Sequence, residues 1–120
     1  MGQDDIVDHF NSYGDGDPLK GAFLLAHVAH MNGPDEVHDL WNMLLEANAE
    51  IYGITTDSYG IAAGNEGSLV VYDANDPFNA LRMQPVRPLV LRDGKPIARS
   101  ERSSHVYFGN DGGTSVDFTR

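Results

Sequence analysis

Residues 19–31 read Leu-Lys-Gly-Ala-Phe-Leu-Leu-Ala-His-Val-Ala-His-Met, apolar on nearly every side of a helix apart from Lys20 near its start. A surface helix carries a single apolar stripe, whereas one that is apolar all round belongs in the interior of something larger. The sequence has 120 residues, enough for one domain with a modest core. The segment therefore calls for more cover than the remaining residues supply, and something else is expected to pack against residues 19–45.

The punctuation around this helix is clear. Asp17 is placed to cap it and Pro18 suits its first turn, while Asn32-Gly33 is expected to end it before Pro34. A second helix is expected to begin near Pro34, with Asp35 and Glu36 at its positive end. Val37, Leu40, Trp41, Leu44 and Leu45 recur at helical spacing and form an apolar stripe. The pattern breaks near Asn48, with a short helical continuation from Ala49 to Tyr52 and Gly53 as the stop. From Asp57 the period changes. Gly60, Gly64 and Gly67 supply turns, residues 68–72 read as a short strand, and residues 77–82 as one helical turn. Residues 89–92 and 96–99 flank Asp93-Gly94, a two-residue hairpin signal, and residues 105–108 offer a last strand. Residues 2–18, rich in Gly, Asp and Asn, read as a long loop. The expected fold class is α+β, divided into helices and their leading loop over 1–56, a small antiparallel β domain over 57–108 and a flexible tail over 109–120.

Charge narrows the function classes. The formal net charge is -10, set by 13 Asp and 5 Glu, and Lys20 and Lys95 are the lysines. Nucleic acid and anionic membrane surfaces both need a positive footprint, so neither is an expected partner. Strong self-repulsion is tolerated where salt screens it, which points to a halophilic host, with an ordinary acidic soluble protein as the alternative. There is no cysteine, hence no disulfide framework and no zinc–thiolate site. No basic segment followed by an apolar run marks a secretory leader, and no apolar stretch reaches the about 18 residues of a membrane span. The expected location is cytoplasmic.

Residues 59–82 read Tyr-Gly-Ile-Ala-Ala-Gly-Asn-Glu-Gly-Ser-Leu-Val-Val-Tyr-Asp-Ala-Asn-Asp-Pro-Phe-Asn-Ala-Leu-Arg. The order Tyr-Gly-Ile-x-x-Gly-Asn, then Leu-Val-Val, then Asp-Pro-Phe-x-Ala-Leu-Arg resembles the point where a metal-dependent amidohydrolase leaves its barrel for its small β domain. The likeness is to the cytosine deaminase branch, and it runs on through Val86-Arg87 and the hairpin from Arg92 to Arg99. Gly2-Gln3-Asp4-Asp5-Ile6-Val7-Asp8-His9-Phe10 resembles the segment after that family's eighth barrel strand. The resemblance implies the C-terminal part of such an enzyme: helices from the edge of an incomplete TIM-like barrel, then an antiparallel β domain of amidohydrolase type.

By the same resemblance, Asp4 matches the aspartate of the metal centre, which helps manage the protons of the metal-activated water. Gln3, Asp5 and Phe10 match positions beside a pyrimidine-like substrate, although Gln3 stands where the family has His and Phe10 where it has Trp. A glutamine can hydrogen-bond a ring but cannot carry a proton as an imidazolium does. The complete enzymes hold a divalent metal, iron or zinc, through a His-x-His pair, further histidines and a glutamate. No His-x-His pair occurs among His9, His27, His30, His38 and His105. A single carboxylate cannot hold a transition metal, since a catalytic zinc takes about three protein ligands. The chain by itself is expected to bind no metal and to be inactive. The implied partner is an N-terminal amidohydrolase polypeptide, or a second copy associating through the apolar helix 19–31; a non-catalytic remnant is the alternative. His27 and His30 are expected to be a core or interface pair, and the solvated acidic loop is the competing account of Asp4.

Raising salt from about 0.1 M to about 1 M shortens the Debye length from about 10 Å to about 3 Å. The thermal midpoint of the chain is therefore expected to rise across that range in KCl, followed by circular dichroism. A flat or falling midpoint removes the halophilic reading.

Overall fold

The computed structural model describes residues 1–2, 6–10, 12–55, 58, 60–107, 109 and 113–116. Its helices are α1 (Pro18–Val28), α2 (Pro34–Leu44), α3 (Glu46–Ile51) and α4 (Pro77–Met83), and all but α3 open on proline. Proline is preorganised for a first helical turn, where its missing N–H is no loss. Asp17 caps α1 through Leu19 N–H at 3.0 Å, and Asp76 caps α4 through Asn79 N–H at 2.7 Å. The turn foreseen at residues 77–82 is thus a full short helix.

Where the helices stop is less legible. The α1 helix ends at Val28 rather than at Asn32, because His30 takes a left-handed conformation (φ 54°) and Met31 N–H bonds Ala26 C=O at 2.9 Å. The same device ends α3, there with the expected glycine: Gly53 lies at φ 67° and Ile54 N–H bonds Ala49 C=O at 2.9 Å. Both are left-handed C-caps, and His is one of the few non-glycine types that enters this region with any frequency. The break between α2 and α3 falls at Leu45 (φ -109°, ψ -81°), not near Asn48. Leu45 consequently leaves the expected stripe and is exposed.

The core lies where α1, α2 and α4 meet. Leu19, Ala22 and Ala26 of α1, Leu40 of α2 and Leu81 of α4 form one buried cluster, with Phe23, Leu25, Met31, Trp41, Leu44 and Tyr72 packed around it. Leu40 is fully enclosed, and Ala22, Ala26 and Ala80 let the helix backbones approach closely. The outer side of α1 is not covered: Leu24 is 57% and Val28 81% exposed. The described residues thus leave part of this apolar helix without cover.

The strands β1 (Leu69–Val71), β2 (Leu89–Arg92) and β3 (Lys95–Arg99) form an antiparallel sheet in that order. Val70 pairs with Val90 and Arg92 with Lys95, with a register shift between Val90 and Leu91. Asp93 (φ 50°) and Gly94 (φ 72°) both lie at positive φ, as a type I′ hairpin requires. A separate ribbon pairs β4 (His105–Val106) with β5 (Thr114–Ser115).

The accessible surface is 9217 Å², against about 6,400 Å² for a compact monomer of this mass. The radius of gyration is 17.1 Å, where a compact domain of this length has about 14 Å. Leu40→Ala is expected to lower unfolding free energy by about 2–5 kcal/mol. Phe10→Ala, at a side chain 97% exposed, should change it by less than about 0.5 kcal/mol. Urea denaturation of the two variants checks the contrast.

Candidate functional site

Gln3, Asp4 and Asp5 lie outside the described residues. Phe10 is described, and its ring stands in solvent. Its N–H donates to Asp8 Oδ1 at 2.9 Å, and Ser12 Oγ donates to Asp8 C=O at 3.0 Å, so local bonds to Asp8 shape this part of the loop.

The cavity best placed to hold anything lies elsewhere. A cleft of about 550 Å³ opens between the start of α2 and the start of α4, walled by Pro34, Val37, His38, Trp41, Pro77 and Phe78, with Asn32 and Asp76 at its rim. A smaller cleft of about 190 Å³ adjoins it and shares Asn32, Val37 and Phe78. The first volume lies within the range of small-molecule pockets, about 300–1,000 Å³. Trp41 fixes its wall: the indole Nε1–H donates to Pro77 C=O at 3.0 Å, tying α2 to α4. On its other side Trp41 meets Tyr72 edge-on, with ring centroids 5.8 Å apart at 79°.

Tyr72 continues the chain of contacts. The Arg87 guanidinium lies 5.3 Å from the Tyr72 ring centroid and forms an ion pair with Asp17, the cap of α1. Burial alone would lower the pKa of Arg87, but the hydrogen bond and charge of Asp17, followed by Tyr72, outweigh it and the net shift is upward. Arg87 is a half-buried clasp between the α1 cap and the approach to β2. Its position just before Pro88 gave no sign of this.

The chemistry open to the larger cleft is limited. His38 and Asp76 are its ionisable side chains. Asp76 is fully engaged: Oδ1 accepts the Asn79 N–H and Oδ2 accepts Asn79 Nδ2 at 2.6 Å. The backbone bond from Asn79, then its side-chain bond, holds the Asp76 carboxyl below the usual carboxylate range. It acts as a cap and is a poor proton acceptor. His27 and His30 are both exposed rather than a core pair, and His27 Nδ1 lies 2.8 Å from Phe23 C=O. Among the described residues no group of three or more His, Asp or Glu side chains could hold a metal ion. The cleft is walled mainly by apolar side chains.

No family model matches the chain. It is 29% identical over 98 residues to N-isopropylammelide isopropyl amidohydrolase of Pseudomonas sp. (strain ADP), a match that takes in 82% of this chain and 24% of that protein. Two crystal structures of the 5-methylcytosine deaminase from Klebsiella pneumoniae share its fold at 28% identity. The complex with phosphonocytosine superposes with a TM-score of 0.76 over 88% of this chain and 25% of the deaminase. For the complex with 5-fluorocytosine the TM-score is 0.78, over 91% and 26%. The chain is thus related to cytosine-deaminase-like amidohydrolases, and spans about a quarter of their length. Its helices and small antiparallel sheets correspond to part of such an enzyme.

Because the native pKa of Asp76 is lowered, the cap contributes fully above the ordinary carboxylate value and is lost as pH falls through the native one. The wall at Pro77 and Phe78 is expected to loosen below about pH 4, shifting Trp41 fluorescence. Asp76→Asn, which still caps, should remove that acid step. An unchanged titration in the Asn variant would show that another group controls it.

Proposed function

We propose that this chain is the C-terminal portion of a cytosine-deaminase-like amidohydrolase, which hydrolyses a non-peptide C–N bond of a pyrimidine-like substrate and releases ammonia. The observation that carries the reading is one of coverage: nine-tenths of the chain follows the fold of the deaminase, but that match takes in only 25–26% of the deaminase itself. The exposed outer side of α1, with Leu24 and Val28 uncovered, supports the need for a completing polypeptide.

In this reading Asp4 is the carboxylate the chain contributes to the metal centre. Gln3, Asp5 and Phe10 lie beside the substrate, where Gln3 hydrogen-bonds a ring nitrogen or carbonyl and Phe10 faces the planar ring. The described residues do not by themselves fit a divalent iron or zinc site. The remaining ligands and the principal proton shuttle belong to the completing polypeptide, and the chain alone is inactive. The enzyme so formed is cytoplasmic; among the described residues no helix is long and apolar enough to cross a membrane.

The test is the mass of the native complex containing this chain, isolated from its own cells at high salt. A complex with a polypeptide carrying the missing histidines is expected, together with cytosine turnover that Asp4→Asn abolishes. A 13.1 kDa monomer without turnover would sink the proposal in favour of a non-catalytic remnant.

A further inference from the structure

Arg87 is carried on a stiff arm. Pro88 restricts it to extended backbone, Pro85 before it is buried, and Asp73 N–H bonds Val86 C=O at 3.3 Å. Its guanidinium, stacked on the Tyr72 ring, meets the same Oδ1 of Asp17 that accepts the Leu19 N–H and so caps α1.

Asp17 is also the stem of a loop. Its own N–H donates to Asp15 Oδ1 at 3.1 Å, and Gly16 takes a left-handed turn at φ 74°. A Cβ on Gly16 would stand 2.8 Å from Ile6 Cδ1, so the Ile6 side chain lies against the Gly16 backbone. The loop thereby closes on itself, with Ile6 on one leg and Gly16 on the other, as a compact Ω-loop does. Farther out, Asp8 gathers the Phe10 N–H and the Ser12 hydroxyl, and the rings of Phe10 and Tyr13 project into solvent. Two cations tie the stem. Lys20 Nζ meets Asp15 Oδ2 at 2.8 Å, but both side chains are exposed, and pairs of that kind contribute little. The Arg87 pair is the more enclosed, and its carboxylate is already fixed by the cap.

We infer that Arg87 is a positioning residue for the substrate loop: through Asp17 it sets the stem of the loop between Ile6 and Gly16, and with it the placement of Phe10 against the substrate ring. This rests on the enzyme reading given above, in which Phe10 faces that ring, and it adds a residue of the small β domain to the substrate site. The guanidinium touches no substrate and acts only through the loop. A lysine keeps the charge but loses the planar fork and the stacking on Tyr72, so Arg87→Lys should restore only part of the effect.

Two measurements test this, the first on the free chain. Chymotrypsin cuts after accessible aromatic residues. In Arg87→Gln, cleavage after Phe10 and Tyr13 is expected to be at least about ten-fold faster, while cleavage after Trp41 does not change. Asp17→Asn, which still caps α1, should match it, and Lys20→Ala should stay within about two-fold of the unaltered chain. Loop cleavage unchanged in Arg87→Gln overturns the inference, and so does an equal acceleration at Trp41, which would mean that the helical body has loosened.

The second measurement is cytosine turnover by the native complex. Arg87→Gln is expected to raise KM by at least about ten-fold with kcat within about three-fold, the mark of lost substrate binding rather than lost chemistry. In a Phe10→Ala background the same substitution should add nothing, because the contact through which it acts is already gone. A complex that turns over cytosine with KM unaltered by Arg87→Gln, or with the two effects multiplying, overturns the positioning role and leaves the enzyme reading intact. Absence of turnover in the unaltered complex removes the enzyme reading and the inference with it.

Discussion

Leu40 is the point on which the helical body depends. It sits where α1, α2 and α4 converge, fully enclosed against Leu19, Ala22, Ala26 and Leu81. Burying one such side chain contributes about 1.5–3 kcal/mol, and native proteins stand only about 5–15 kcal/mol above unfolding. A core this small leaves little margin, so the placement of each helix matters. The alanines on α1 and α4 bring the backbones close enough for Leu40 to be enclosed at all. Once α2 and α4 are held this way, Trp41 can reach the Pro77 carbonyl and the cleft acquires its wall.

Much of this was legible because short-range chemistry wrote it. Asp17 with Pro18 marks a start that holds in the structure, the second helix opens at Pro34 where it was expected nearby, and Asp93-Gly94 specifies the hairpin it forms. The stop of α1 was not legible. A histidine in a left-handed cap carries no composition signal, so the reading ran on to the next asparagine and glycine. The break at Leu45 was hidden for a similar reason, since leucine ordinarily favours helix and the stripe continued through it. The cleft depends on residues from α2 and α4 that only the tertiary fold brings together. No local pattern announces such a meeting, and the clasp at Arg87 is hidden on the same account.

The candidate catalytic residues pose a different problem. Nothing in the spacing of Gln3, Asp4, Asp5 and Phe10 distinguishes them from the other acidic and aromatic positions of an acidic loop, and resemblance alone picked them out. Metal chemistry depends on ligands converging from several elements, which is a property of a closed assembly. The scarcity of metal-ligating clusters among the described residues stands beside a match that spans about a quarter of each deaminase structure. Composition had already hinted at it through residues 19–31, whose apolar sides outnumber the neighbours available to them.

The clasp of Asp17, Arg87, Tyr72 and Trp41 has a consequence for how the molecule comes apart. It ties the end of β1 and the approach to β2 to the helices, while the buried cluster itself is drawn from helical residues. A sheet held by so few side chains is expected to open at a lower free energy than the helical core, with Arg87 at the boundary between the two foldons.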